Sequence, residues 1–412
     1  MSLATTGTAL IEQGHWLTVR DCKRVLVVVH TVTFAQRLRE VFDLLNADLR
    51  IQVVFTAAPH AFGDGVVPYL RGLGIVPVPW EEALRADFDL ALAAGSRGLH
   101  RLRAPVLRIS HGAGHIKPLT DRSALAPGEP RVPGMLSPRH LLHDGRVVPR
   151  AIVYAHERDV VELARTCPEA LPVAQVVGDP CVDRITAGRH RRDDHRRALG
   201  LEPGQRLVVV TSTWGAGATF GRLDSLLPHL LGQLPRDAYR VALLLHPNVY
   251  AGHGAWQVRG WLGGCDGVAL VPPEADWQAL LIAADWVVAD HGSSGAYATL
   301  TDATMLLTPG PRREVAAHSP AALLAAVAPV LSPLHPPAEQ LEYAARLRAP
   351  GQYDEVAASL SSAPGEFHRR MRAVVYRLLA LPEPAHPPTV TPPPPLSPLE
   401  SWDVRAPRGA TR

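Results

Sequence analysis

The chain has 412 residues, of which 47% are apolar and 20% charged, and its formal net charge is +3. That length implies two or three domains at ~100–200 residues each, and the composition excludes a disordered chain. The charge is too mild to argue for nucleic acid, and the longest apolar runs, 25–29 and 321–330, fall short of the ~20 residues that span a bilayer.

The N-terminus carries Glu12, Gln13 and His15 where a signal peptide would be apolar. Residues 24–30 form a short continuous apolar run, the mark of a strand buried on both faces. Phe34, Leu38, Val41, Phe42 and Leu45 follow at helical spacing. Strands are predicted at 51–55, 75–78, 90–94 and 106–109, with a helix at 66–73. Proline and glycine interrupt the pattern over 115–149, and strands resume at 151–154 and 173–177. Such alternation implies parallel βαβ units with helices on both faces of a sheet.

The charged segment 189–197 shows no apolar face and places a domain boundary at about 185–203. The alternation then restarts, with strands at 206–211, 240–245, 268–271, 286–289 and 304–307. Helices are predicted between them at 223–234, 255–262, 277–284 and 293–300. Further helices follow at 320–331, 338–348 and 366–381. The last of these is amphipathic and basic, so it either packs on the first domain or lies on an anionic membrane surface. The proline-rich residues 382–412 cannot bury a core, so that tail should be disordered and its removal harmless. The domains expected are therefore 1–188, 203–335, the helices of 336–381 and the tail.

The four cysteines, Cys22, Cys167, Cys181 and Cys265, form no C-x-x-C pair, which excludes a zinc knuckle and suits a reducing, cytoplasmic setting. Lysine is rare: Lys23 and Lys117 stand against forty arginines, so a lysine at a candidate site is informative.

In open α/β sheets ligands bind at the carboxyl ends of strands. Four such ends here are polar and glycine- or proline-bearing. They are His111-Gly112-Ala113-Gly114-His115-Ile116-Lys117, Ser212-Thr213-Trp214-Gly215, His246-Pro247-Asn248 and Asp290-His291-Gly292-Ser293-Ser294. Residues 215–221 have the spacing G-x-G-x-x-x-G, and the next strand ends in His246 instead of a carboxylate, which argues against a nicotinamide cofactor. The loop could still present N–H groups to a phosphate, or be an ordinary turn. Ser293 and Ser294 offer hydroxyl donors to an anion, although Ser293 could simply cap the following helix. His111 and His115 are four apart, but Gly112 and Gly114 oppose the helix a zinc pair would need. A strand-end histidine can instead serve as general base. No G-K-[ST] or G-x-S-x-G motif is present, which excludes P-loop and α/β-hydrolase chemistry.

Together these features resemble the GT-B architecture, two Rossmann-like domains facing a cleft. Within it the chain resembles the CDP-glycerol glycerophosphotransferases of the teichoic-acid polymerase and primase group. His111 to Lys117 is similar to that family's W-H-G-T-x-L-K element with one extra residue. Thr213-Trp214 is similar to P-T-W-R without the arginine, His246-Pro247 to the strand-ending H-P, and Asp290 to Ser293 to D-Y-S-S. A weaker similarity is to the non-hydrolysing UDP-N-acetylglucosamine 2-epimerase. There residues 177–183 match a V-T-G-N-x-x-x-D turn, and Ala296 and Tyr297 replace two glutamates.

The resemblance implies transfer of a glycerophosphate or sugar group from a nucleotide-diphosphate donor to a hydroxyl acceptor of a cell-envelope polymer, at the inner face of the membrane. His111 is implied as the base. Lys117, Thr213, Trp214, His246, His291, Gly292, Ser293 and Ser294 are implied at the donor, and Asp290 as the residue ordering that loop. No cofactor or metal is expected. An epimerase, or a catalytically silent nucleotide-binding protein on the same scaffold, are the alternatives.

Overall fold

The apolar run near the N-terminus is a strand in the computed structural model, β1 (Lys23–Val29), and Val25 to Val29 are fully enclosed. Burying each such side chain contributes about 1.5–3 kcal/mol, which favours a central position in the sheet. The structure describes residues 19, 21–116, 132–263, 265, 267–310, 315–397 and 399. They fall into two compact units. Of the described residues, those up to 112, those at 132–180 and those at 362–389 form the first, and 113–116, 181–361 and 390–399 form the second.

In the first unit, β2 (Ile51–Ala57), β3 (Leu90–Ala93) and β4 (Val106–Ile109) follow β1. A small antiparallel hairpin, β5 (Leu142–His143) and β6 (Arg146–Val147), precedes β7 (Ala151–Tyr154) and β8 (Ala174–Val176). The main sheet runs β2-β1-β3-β4-β7-β8, with every pair parallel. Helix Val32–Phe42 starts where Thr31 Oγ1 accepts the Phe34 N–H at 3.2 Å, and it turns Leu38, Val41 and Phe42 onto one face of the sheet. Helix Phe367–Leu379 covers the same face with Phe367, Met371, Val374, Val375 and Leu379. The opposite face packs against Val78, Trp80, Leu84, Phe88 and Leu99.

Residues 75–78 form no strand: only Val78 bridges, to Thr56. Pro77 and Pro79 flank it and have no N–H to give to a ladder.

In the second unit, β9 (Arg206–Ser212), β10 (Tyr239–Leu245), β11 (Val268–Leu270), β12 (Trp286–Ala289) and β13 (Thr304–Leu307) form a parallel sheet. Its order is β11-β10-β9-β12-β13. The charged segment after Gly188 is ordered as a turn, Arg189–Arg191, and a helix, Arg192–Ala198. Its polar face is satisfied by Asp285, which meets Arg192 at 2.7 Å and Arg196 at 2.8 Å. Helix Pro320–Val327 stops short of residue 331 because Pro329 disfavours helical geometry in the residue before it.

Residues 382–397 form no helix or strand, and several of them lie against the protein. Arg372 meets Glu383 at 2.9 Å, Arg184 donates to Thr391 O at 3.1 Å, and Leu396 is buried. Among the described residues no helix is long and apolar enough to cross a membrane.

Candidate functional site

Chain connections leave β9 in both directions, to β10 on one side and, after β11, back to β12 on the other. A crevice at such a reversal is where open α/β sheets bind ligands. Asp290 follows β12 there and is buried. Its Oδ2 accepts the Thr213 N–H at 2.9 Å and the Thr219 N–H at 3.0 Å, and its Oδ1 accepts the Gly292 N–H at 2.9 Å. Ser212 Oγ lies 3.5 Å from Oδ2 and accepts the Phe220 N–H at 2.8 Å. One carboxylate thus ties the loop after β9 to the loop after β12. Hydrogen bonds to an ionised acceptor are the stronger kind, roughly 1.5–3 kcal/mol each.

Gly292 sits tightly: a Cβ would come 3.0 Å from Asp290 Oδ1 and 3.1 Å from Thr213 Cβ, so a side chain there needs its neighbours to give by a few tenths of an ångström. The glycine-bearing loop over 215–218 spends the N–H groups that follow it, those of Thr219 and Phe220, on Asp290 and Ser212. Within the loop itself the Ala218 N–H bonds to Gly215 O at 3.1 Å.

Helix Ser293–Ala298 has Gly292 as its N-cap, so Ser293 is not the cap. Ser293, Ser294 and His291 are half-buried, and neither serine hydroxyl is engaged by another described residue. Across β9, His246 ends β10 and caps helix Pro247–His253, its Nδ1 accepting the Asn248 N–H at 3.1 Å. That bond puts the proton of the neutral ring on Nε2. Trp214 is partly exposed, with its ring 6.3 Å from that of His246. The second unit therefore brings Thr213, Trp214, His246, Asp290, His291, Gly292, Ser293 and Ser294 to the carboxyl ends of three adjacent strands.

His111 belongs to the first unit, just past β4, and is exposed. Its ring lies 4.4 Å from that of Phe34. Arg37 Nη2 fastens the same loop, donating to Gly112 O at 3.0 Å and to Asp179 Oδ2 at 2.9 Å. Gly112 and Gly114 both have φ of +70°, so His111 and His115 do not share a helix face. Lys117 lies outside the described residues.

Two further histidines, His30 and His60, stand around Phe34. The ring of His60 is 6.1 Å from that of His30 and 6.3 Å from that of Phe34. Burial pushes His30 down to about 4, and burial together with nearby Arg97 lowers His60. Sequence reasoning named Ser212 only as part of a strand end and Phe34 only as part of an apolar stripe, and it gave no role to Thr219 or Arg37. Nothing local marks them, because each acts on a partner many residues away. Asp179 was visible only as part of a turn.

The parallel order of both sheets, with helices on both faces, makes this a GT-B fold of two Rossmann-like domains. No family model matches the chain, and no curated protein matches its sequence. Solved structures do match. The wall teichoic acid polymerase TagF is similar over 88% of this chain and 90% of its own, at 13% identity and TM-score 0.58. A variant of it soaked with CDPG gives 12% identity over the same shares and TM-score 0.59. S. aureus MnaA, solved with UDP, is similar over 88% of this chain and 99% of its own, at 12% identity and TM-score 0.51. UDP-GlcNAc 2-epimerase from Methanocaldococcus jannaschii is similar over 86% and 99%, at 10% identity and TM-score 0.50. At these identities the likeness is one of fold.

Proposed function

We propose that the chain is a transferase that moves a glycerophosphate or sugar group from a nucleotide-diphosphate donor to a hydroxyl acceptor. The observation that carries this reading is the Asp290 knot at the β9/β12 reversal, which leaves the Ser293 and Ser294 hydroxyls unengaged by other described residues at the same end of the sheet as His246. Hydroxyls, an Nε2–H donor and Lys117 are suited to the oxygens of a diphosphate. Fixed donors offset the charge that grows on the leaving phosphate without needing to reorganise.

His111 is the base. It takes the proton from the acceptor hydroxyl as that oxygen bonds to the transferred group. For a sugar, the bond from its anomeric carbon to the β-phosphate oxygen breaks and the nucleoside diphosphate leaves with the electron pair; for a glycerophosphate, the bond from the β-phosphorus to the oxygen it shares with the α-phosphate breaks and the nucleoside monophosphate leaves with it. Phe34 and Arg37 hold the His111 loop. The structural likeness to TagF and to MnaA with UDP supports a nucleotide-linked ligand. The epimerase alternative is weaker because Ala296 and Tyr297, buried in the second unit's core, supply no carboxylate.

The test is calorimetric titration of the full chain with CDP-glycerol and with UDP-N-acetylglucosamine, in wild type and in Ser293→Ala/Ser294→Ala. The double variant is expected to bind at least tenfold more weakly, since each charge-assisted hydrogen bond is worth roughly 1.5–3 kcal/mol. Equal affinity in the two proteins would remove the assignment.

A further inference from the structure

The first unit has a reversal of its own. Connections leave β1 towards β2 on one side and β3 on the other. The register aligns Val28 with Ala93 and Ala93 with Arg108, so these side chains share a face, and His30 and Gly95 continue it two residues on. The closeness there is real: a Cβ on Gly95 would come 2.6 Å from His30 Nδ1.

Arg108 is 2% exposed. Its Nη1 donates to His140 O at 3.1 Å and its Nη2 lies 3.5 Å from Ala94 O. Its Nε is buried with no acceptor among the described residues. Among the described residues the other two buried arginines each hold a carboxylate at 2.9 Å, Arg37 that of Asp179 and Arg372 that of Glu383. Among the described residues Arg108 has none. His30 gives its Nε2 to Arg97 O at 2.9 Å, and its Nδ1 is buried with no partner. After burial itself, His60 and then Arg108 hold His30 below the usual histidine range, and Arg108 is the next cause after burial for His140. The face therefore carries an uncompensated positive charge. Burying a charge without a partner is costly, and such a charge is retained where something else brings the counter-charge.

We propose that Arg108 and His30 form an oxyanion site at the β1/β3 reversal that takes a phosphate group, free or esterified. The oxyanion accepts from Arg108 Nε and stabilises the protonated ring of His30, whose Nδ1–H then donates to it. This site belongs to the first unit, and the proposal stands without the one at Asp290.

The test is thermal melting of the full chain with inorganic phosphate or glycerol 3-phosphate, against chloride at matched ionic strength. A ligand that binds only the folded state raises the midpoint by mass action. The expected result is a rise of several degrees in wild type and in Ser293→Ala/Ser294→Ala, and none in Arg108→Met. Without phosphate, Arg108→Met should melt at or above wild type, because an apolar side chain of similar length removes the unpaired charge. A lower half-saturation with glycerol 3-phosphate assigns an ester; equal values assign the bare group. No response in wild type, or a response kept in Arg108→Met, overturns the proposal. Should Arg108→Met not fold, the His30 ring signal in the wild-type NMR spectrum decides: phosphate must raise the pH at which that ring titrates, and an unmoved titration sinks the site.

Discussion

Arg37 and Asp179 form an ion pair at 2.9 Å with both side chains almost fully enclosed, and the same guanidinium nitrogen holds the carbonyl of Gly112. A residue of the first helix and a residue past the last strand of that unit thus fix the loop that carries His111. Removing one partner of a buried pair leaves the other charge uncompensated, at about 3–5 kcal/mol. Asp179→Ala should lower the urea-unfolding free energy by that order. Under conditions where the variant is still folded, kcat should fall more than KM rises. An unchanged unfolding curve would show the pair to be energetically idle.

His111→Ala should remove ~10²–10⁴-fold of turnover, the usual contribution of a general base. Donor affinity should stay the same, because the base acts on the acceptor. The check is single-turnover kinetics alongside calorimetry. Near wild-type turnover would reduce His111 to a loop residue packed on Phe34.

Asp290→Asn keeps the size and loses one acceptor. The new amide group meets backbone N–H donors of Thr213, Thr219 or Gly292, which cannot bond to it. Each buried donor left unsatisfied costs about 1–3 kcal/mol. The melting temperature should fall, and donor affinity with it, because the serine loop is no longer tied to β9. Retention of both would mean that the knot is not what shapes the site.

Acid should weaken the protein through His30. Its folded value is about 4 against the ordinary 6.5, so the unfolded chain binds the proton more readily. Stability from the neutral ring is complete above pH 6.5 and is lost as pH falls from there towards 4. The full loss is about 3 kcal/mol for a shift of that size. Denaturant unfolding at pH 7, 5.5 and 4, in phosphate-free buffer, should show it, and His30→Phe should flatten that part of the profile. Equal slopes in the two proteins would refute the assignment.

Truncation after residue 365 removes Phe367, Met371, Val374, Val375 and Leu379 from the first unit's core and should destabilise it severely. Truncation after 381 should also cost something, about 1–3 kcal/mol, since Arg372 loses the Glu383 carboxylate. Differential scanning calorimetry of both truncations measures this. A 1–365 chain that melts like wild type but no longer binds anionic liposomes would restore the membrane alternative for that helix.

The strands were legible wherever apolar residues run unbroken, as at Val25 to Val29, because burial on both faces leaves no polar position to confuse the pattern. Residues 75–78 misled because their apolar content suits a strand while their prolines do not. Helix Arg192–Ala198 was hidden because its stabilising partner, Asp285, lies more than eighty residues away. The strand-end loop of Asp290 stood out from its residue types. Its hold on Thr213 and Thr219 was not, because that depends on which strand pairs with β9. Arg108 was invisible for a plainer reason: in a chain this rich in arginine, one more inside a strand carries no signal.

The helix that completes the first unit comes last in the chain order. β1 is synthesised by residue 29, yet Phe367–Leu379, which covers one of its faces, follows about 340 residues later. At ~5–20 residues per second a ribosome takes roughly 20–70 s over that interval. Throughout it the second unit's sheet, β9 to β13, can be finished while the older sheet still shows bare valine and leucine. A nascent chain arrested before residue 365 should therefore be the form of this protein that chaperones grip most firmly, and release of the full chain should end that grip.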